Sequence, residues 1–227
     1  MHSQPKISVI TVCFNSAGTI ERTLASVASQ TWNAIEHIVI DGCSTDGTLD
    51  IAKRFDSTVS KLVSEPDNGI YDAMNKGLRL ATGEIICFLN SDDFYNEEDV
   101  LEKVAAEFSA RNLDALIGDV SFFKANTPYK ITRRYRSSHF TPERLAMPAH
   151  PSLFLHSRVT KKVGLFDTSY KIAGDYEYII RAFTRHSLNY CYLPESFVSM
   201  QSGGNSDSGW KSKYFLNKEV LRACKEN

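Results

Sequence analysis

Two hydrophobic periods alternate along the first part of the chain. Residues 7–14 form a nearly unbroken apolar run, as a strand buried on both faces requires, and from Ser16 onward Ile20, Leu24, Val27 and Ala28 recur at helical spacing. Ser16 is placed to cap that helix. Residues 35–40 predict a second strand ending at Asp41-Gly42, a short helix follows over 48–55, and Leu62 with Val63 marks a third strand. After Asp67-Asn68-Gly69 an apolar stripe of Ile70, Ala73, Met74, Gly77, Leu78 and Ala81 predicts a longer helix closed by Thr82-Gly83, and residues 84–89 predict a fourth strand.

Strands alternating with helices pair in parallel, and ligands of such sheets collect at the carboxyl ends of the strands. Asn15, Asp41 and Asp92 each follow directly on a strand end, so the predicted fold gathers them along one edge. Beyond Asp93 the pattern changes. A helix carried by Val100, Val104 and Phe108 precedes strand-like stretches at 115–117, 120–123, 129–135 and 152–155, which predict an antiparallel extension of the sheet. A helix from about Asp175 carries Tyr176, Ile179, Ile180 and Phe183 inward, and 189–193 and 197–200 predict two late strands. The expected fold is α/β, a Rossmann-like, mostly parallel sheet flanked by helices with an antiparallel extension. No repeat or linker interrupts it, so 1–227 is expected to be a single domain: a nucleotide-binding half over 1–93, an acceptor-side half over 94–208 and an amphipathic helix over 209–227.

The fourth strand ends in Asn90-Ser91-Asp92-Asp93. Adjacent carboxylates repel, and a cation that neutralises them is one reason to place them at a strand mouth; hard oxygens suit Mg²⁺ or Mn²⁺, which in turn bind phosphates. A polar turn in which an Asp caps the next helix is the other reading, and the segment alone fits both.

Charge narrows the classes. The 26 basic and 27 acidic residues leave a formal charge of −1, so the broad positive field of a nucleic-acid binder is missing. Five cysteines, Cys13, Cys43, Cys87, Cys191 and Cys224, include no C-x-x-C pair and point to a reduced, cytoplasmic chain. No apolar stretch approaches the roughly 20 residues of a spanning helix, and no signal peptide is evident.

In order along the chain, Thr11 to Asn15, Asp41-Gly42-Cys43-Ser44-Thr45-Asp46-Gly47-Thr48, the segment from Glu65 through Asp67-Asn68-Gly69 to Lys76-Gly77, and Asn90-Ser91-Asp92-Asp93 resemble family 2 glycosyltransferases of the GT-A fold. The later segments His150-Pro151-Ser152-Leu153-Phe154, Gly164-Leu165-Phe166-Asp167 and Tyr170-Lys171-Ile172-Ala173-Gly174-Asp175-Tyr176 are similar to the branch that builds bacterial exopolysaccharides such as colanic acid.

The resemblance implies a UDP-sugar donor, a divalent metal (Mn²⁺ or Mg²⁺) and inversion at the anomeric carbon. Thr11 and Asn15 would border the nucleotide, Asp41 would read the uracil edge, Asp67 and Lys76 would line the same pocket, and Asn90 and Ser91 would meet donor hydroxyls. Asp92, supported by Asp93, would bind the metal. Many relatives carry Asp where this chain has Asn90, which brings a carbonyl without a charge. Asp175 matches the base position; standing alone it reads more readily as a helix cap, and Glu177 is a second candidate if the helix starts later. His150, between Pro148 and Pro151, is placed either to touch the diphosphate or acceptor or to serve as a structural histidine. The implied acceptor is lipid-linked or an oligosaccharide.

Two basic features have double readings. Lys130, Arg133, Arg134 and Arg136, interleaved with Tyr129 and Tyr135, suit an anionic acceptor or a solvated strand face. Lys211, Lys218, Arg222 and Lys225 form a helical stripe that suits peripheral contact with the inner face of a membrane, or the wet side of a docked terminal helix. The segment 202–209 reads as a loop that closes over donor or as a plain connector. A non-catalytic nucleotide-sugar scaffold remains open beside the enzyme reading. A sugar-phosphate nucleotidyltransferase or a dehydrogenase is disfavoured, because no glycine-rich phosphate loop follows the first strand.

Overall fold

The structure, a computed structural model, describes residues 4–124, 127–137, 147–202 and 210–227. Its first half runs β1 (Ile7–Cys13), α1 (Ile20–Ala28), β2 (Ile35–Asp41), α2 (Thr48–Lys53), β3 (Val59–Ser64), α3 (Ile70–Leu80) and β4 (Ile85–Phe88). These four strands are parallel, in the order β3-β2-β1-β4. Every residue of β1 and β4 is buried, because helices cover both faces of the sheet.

The second half adds β5 (Phe94–Tyr95), α4 (Val100–Arg111), β6 (Ala115–Lys124), β7 (Thr127–Tyr135), a 3₁₀ turn (His150–Ser152), β8 (Leu153–His156), α5 (Ser157–Val163), α6 (Gly174–Arg185), β9 (Tyr190–Gln201) and α7 (Trp210–Glu226). Strand β8 joins β4 antiparallel, and the sheet continues β6-β9-β5 with β7 on the other side of β6. Strands β6 and β9 run parallel to each other.

Alternation along the central strands sorts the core. Ile10, Val12, Ile38, Ile40, Ile86 and Phe88 face α3, α5, α6 and α7, whereas Val9, Cys87 and Leu89 face α4 and the end of α1. Cys13 and Val39 complete the second face against α1 and α2. Where α3 crosses β1, a Cβ at Gly77 would lie 2.3 Å from Ile10 Cγ2, so only glycine permits that approach.

Several expectations are corrected. Thr19, not Ser16, occupies the cap position of α1, without a side-chain bond, while the Ser16 carbonyl accepts from the amides of Thr19 and Ile20. The stretches expected as two strands at 115–117 and 120–123 form one, β6, and those at 189–193 and 197–200 form another, β9. Gly118-Asp119 and Pro194-Glu195-Ser196 break the apolar pattern, yet the strands pass through with a register shift that absorbs Pro194. Helix α6 begins at Gly174 with Ala173 as its cap, so Asp175 is the second residue of the helix rather than the cap.

Candidate active site

Because β1 to β4 are parallel, their carboxyl ends share one edge, and the strand order reverses at β1. The crevice at such a switch point lies between the segments that leave β1 and β4, which are Asn15-Ser16 and Asn90 to Asp93. Hydrogen bonds stitch this edge together. Asn15, held in the left-handed region at φ 48°, accepts from Thr45 N at 2.9 Å, and its own N–H donates to Ser44 Oγ at 2.8 Å. Ser16 N donates to Thr48 Oγ1 at 2.7 Å, and Ser91 Oγ donates to Ser16 Oγ at 2.8 Å. Asp46 accepts from Ala17 N and Thr48 N, closing the β1 and β2 loops on each other.

Asp41, the last residue of β2, has no exposed surface; its carboxylate accepts from the N–H and hydroxyl of Ser44 and from Ser64 Oγ at 2.6 Å. It shapes the loop beneath the crevice rather than facing a ligand. Nearer the surface, the half-buried Asp67 packs over Gly42, where a Cβ would come within 2.5 Å of Asp67 Oδ2. Lys76 pairs with Glu65 at 2.9 Å and donates to the Pro66 carbonyl at 2.6 Å, steadying the same loop. Thr11 departs from expectation. It lies two residues inside β1, fully buried, with Oγ1 3.0 Å from His37 Nε2.

The acidic pair is split by burial. Asp92 is partly exposed, and among the described residues no other side chain hydrogen-bonds its carboxylate. Burial draws its carboxyl upward, against its own backbone N–H, the electrostatic pull of His150 and the charge of Arg22. Asp93 is 1% exposed, and burial together with the charge of Asp92 holds it well above the usual carboxylate range, with Arg22 opposing. Asp93 therefore sits in the interior as an acid drawn toward its neutral form, and of the pair only Asp92 has exposed surface to offer a cation. The Arg22 guanidinium lies over Phe94 and Phe123 and donates to the Asp92 carbonyl at 3.2 Å, and Thr23 Oγ1 donates to the Asp93 carbonyl at 2.7 Å. Both bonds fix the turn that aims Asp92.

The oxygens present fit a hard divalent cation shared with a substrate. Asp92 offers a carboxylate, and the buried Asn90 Oδ1 has no hydrogen-bond partner. No cluster of three or more His, Cys, Asp or Glu that could hold a metal occurs among the described residues. An incomplete protein shell of this kind suits a cation whose remaining ligands are phosphate oxygens and water.

Asp175 reaches this edge from the other half of the molecule. Its Oδ2 lies 3.0 Å from His150 Nδ1, and His150 Nε2 lies 3.2 Å from Asn90 Nδ2. Oδ1 accepts from Tyr176 N at 2.9 Å and is 3.3 Å from the Tyr71 hydroxyl, which donates at 2.7 Å to the Ile172 carbonyl. Burial pushes the Asp175 carboxyl up, but the electrostatic pull and hydrogen bond of His150, with the bonds from Tyr176 N and Tyr71, bring it below the usual range. It is thus ionised at neutral pH. Glu177 is excluded from the role: it is buried in a two-point ion pair with Arg181, both contacts at 2.9 Å. A Cβ at Gly174 would strike the Tyr71 ring at 2.7 Å, so glycine there lets α6 close on α3.

Two positioning groups escaped the sequence. Tyr71 lies inside a motif already singled out and carried that signal. Glu219 on α7 carried none, yet its carboxylate accepts from the N–H groups of Lys171, Ile172 and Ala173, the approach to α6, at 2.8 to 2.9 Å.

The basic features lie away from the crevice chemistry. Lys130, Arg133, Arg134 and Arg136 are exposed, with Arg133 stacked over Phe122. Helix α7 docks on the core through Leu216, Val220 and Ala223, leaving Tyr214, Lys218, Leu221 and Lys225 outward. No helix among the described residues is long and apolar enough to cross a membrane. Residues 203–209 of the expected closing loop, with Lys211 of the stripe and the Tyr129 side chain, lie outside what is described.

The chain matches the family model described as "Glycosyl transferase family 2" over residues 8–165. It is 30% identical over 221 residues to a PGL/p-HBAD biosynthesis glycosyltransferase of Mycobacterium bovis, covering 94% of this chain and 84% of that one. An uncharacterised glycosyltransferase of Mycobacterium tuberculosis is 32% identical over 192 residues, 80% of this chain and 70% of that one. Among solved structures, S. aureus TarS in complex with UDP-GlcNAc superimposes with a TM-score of 0.79 at 21% identity, covering 96% of this chain and 66% of that one. The mannosyltransferase PcManGT from Pyrobaculum calidifontis, in complex with GDP-Man and Mn²⁺, gives 0.70 at 19% identity, covering 98% and 64%. This chain spans just under two thirds of each of those two longer chains. The mostly parallel sheet with its antiparallel extension is the GT-A fold, and the chain belongs to glycosyl transferase family 2.

Proposed function

We propose that the crevice between the ends of β1 and β4 takes a UDP-linked sugar with Mn²⁺ or Mg²⁺, and that Asp175 is the base that activates an acceptor hydroxyl. The observation that carries this reading is the line from Asn90 through His150 to Asp175, which ties the acid-bearing end of β4 to the first turn of α6. Asn15 and the half-buried Asp67 form the nucleoside wall, with Asp67 Oδ2, rather than the fully buried Asp41, the acceptor offered to the uracil N–H. A bound cation, held by Asp92 with Asn90 Oδ1 near it in sequence, would supply Lewis-acid stabilisation of the leaving diphosphate.

The reaction is a single displacement. The acceptor oxygen forms a bond to the anomeric carbon as the bond to the diphosphate oxygen breaks, UDP leaves with that electron pair, the acceptor proton passes to Asp175, and configuration inverts. The UDP-GlcNAc of TarS supports the donor class and the Mn²⁺ of PcManGT supports the metal. Relatives named for PGL/p-HBAD biosynthesis and, over 44% of this chain, for teichuronic acid biosynthesis in Bacillus subtilis support a bacterial surface glycan on a lipid-linked or oligosaccharide acceptor. A cytoplasmic enzyme working on such an acceptor would meet the membrane through the outward face of α7.

Calorimetry tests the donor and metal assignments, and a transfer assay tests the base. UDP is expected to bind with Mn²⁺ present and to lose that affinity in excess chelator; equal affinity in chelator overturns the metal role of Asp92, and tighter binding of GDP overturns the donor class. Asp175→Asn is expected to keep UDP binding while transfer falls by at least about a hundredfold. An active Asp175→Asn enzyme rules out the base.

A further inference from the structure

His150 has both ring nitrogens engaged by protein. Nδ1 lies 3.0 Å from Asp175 Oδ2 and Nε2 lies 3.2 Å from Asn90 Nδ2, so neither is left for a diphosphate unless one of those bonds breaks. The chemistry of the neighbours sets the proton. A carboxylate only accepts, so Nδ1 carries the hydrogen that faces Asp175; Nε2 is then the acceptor, matched by the Asn90 amide N–H.

The backbone around His150 is rigid. Pro148 and Pro151 flank it, it opens the 3₁₀ turn His150–Ser152, and that turn is pinned where Ser152 Oγ donates to the buried Gly118 carbonyl at 2.7 Å. Asn90 is equally fixed, since its carbonyl accepts from Asp93 N at 3.0 Å at the end of a fully buried strand. The ring is therefore carried by the 3₁₀ turn and met on Nε2 by the segment after β4, both elements other than α6.

We infer that His150 is a positioning residue for Asp175, and that Asn90 acts through His150 by fixing the ring's orientation and tautomer. This rests on the reading of Asp175 as the base. The amide suits position 90 chemically: an Asn offers the N–H that a neutral imidazole Nε2 needs, which a carboxylate does not. The carboxylate of Asp175 is turned by three contacts, His150 on Oδ2 and Tyr176 N and Tyr71 on Oδ1, which leaves room among its roughly four lone-pair directions for one incoming proton. Losing the His150 contact frees the side chain to rotate, and a misplacement on the order of 1 Å costs about a hundredfold in rate.

The two amide side chains separate the ring's two contacts, because Asn places its N–H near the position of Nδ1 and Gln places its amide near Nε2. His150→Ala is expected to lower kcat about a hundredfold while KM for the UDP-sugar and the calorimetric affinity for UDP with Mn²⁺ stay within about twofold. His150→Asn is expected to recover most of kcat, and His150→Gln to recover little. In a double-mutant cycle, Asn90→Ala should cost kcat much less in the His150→Ala background than alone. A parallel loss of UDP affinity in His150→Ala would make His150 a donor contact and overturn the inference. So would an Asn variant as slow as the Ala variant with both folded by circular dichroism, and strict additivity of the cycle would remove Asn90 from the line. Asp175→Asn is assayed beside them: if that variant is active the base reading itself has failed, whereas an inactive Asp175→Asn with a fully active His150→Ala defeats only the positioning role.

Discussion

His37 has no exposed surface, and burial alone brings its imidazole down to about 4, because the cation would lose its hydration without gaining a counter-charge. The folded state therefore binds the proton more weakly than the unfolded chain, and stability falls as pH drops from about 6.5 toward 4. Two and a half units correspond to about 3 kcal/mol, a large share of the stability of an ordinary domain. Glu36 adds a second, lower window. Burial raises its carboxyl, but hydrogen bonds from Ser8, Thr82 and Lys61 outweigh burial and hold it at about 2, so its contribution is present above about 4.5 and lost as pH falls toward 2. Thermal melts between pH 7 and 4 should show the His37 loss, and His37→Gln, which keeps an amide toward Thr11, should flatten that slope. An unchanged slope would assign it to another group.

Among elements, α7 bears on the site most indirectly. Its Glu219 accepts from three successive backbone N–H groups, those of Lys171, Ile172 and Ala173, at the point where the chain turns into α6. Glu219→Ala would leave three donors without that acceptor, at a cost of about 2 to 3 kcal/mol for bonds to a charged group, and would let the first turn of α6 shift. Urea unfolding should show the loss in stability. Transfer should fall more than UDP affinity, since the nucleoside wall lies on other elements; an unchanged kcat would show that α6 is held without α7. Nothing in the sequence marked Glu219: its partners Lys171 to Ala173 fall in a segment already singled out, but they lie 46 to 48 residues away and no motif surrounds Glu219 itself. What was legible follows from pattern strength. The four parallel strands and α3 carry clear periods and sharp ends, which is why Asn15, Asp41 and Asp92 could be placed on one edge before any coordinates. Strand β5 and helix α5 are too short for a period, and β6 and β9 contain Gly118 and Pro194, which read as breaks. Burial direction was not legible either: strand ends locate Thr11, Asp41 and Asp93, but only packing decides that these three side chains turn inward.

At the scale of the whole molecule, the crevice and the proposed base Asp175 come from opposite halves of the chain, so the proposed activity depends on how the halves are joined. The join is the contact of α3 and β4 with the segment before α6. Asn75 Nδ2 donates to the Phe166 carbonyl at 2.9 Å, and Asn75 Oδ1 accepts from Phe166 N at 2.8 Å, so one buried amide side chain satisfies both backbone groups of a residue 91 positions away. The Phe166 ring then stacks on Tyr178 with centroids 4.2 Å apart, meets Phe88 edge-on at 5.2 Å and faces Tyr71 at 5.9 Å. Tyr178 belongs to α6, which carries Asp175, and Tyr71, whose hydroxyl meets that carboxylate, belongs to α3. Phe166→Leu keeps apolar volume but removes the stack, whereas Asn75→Ala leaves a buried N–H and C=O without partners, costing about 1 to 3 kcal/mol for each group. Both variants should unfold in one transition at lower urea, because a site assembled from both halves has no separate core to retain. The discriminating measurement is kcat against UDP affinity. Asn75→Ala should lower kcat several-fold while UDP with Mn²⁺ binds nearly as in the parent protein, since Asn15, Asp67 and Asp92 do not rest on Phe166. If UDP affinity falls with kcat, the nucleotide wall depends on the join as well, and the halves are one mechanical unit rather than a fixed wall with a docked base.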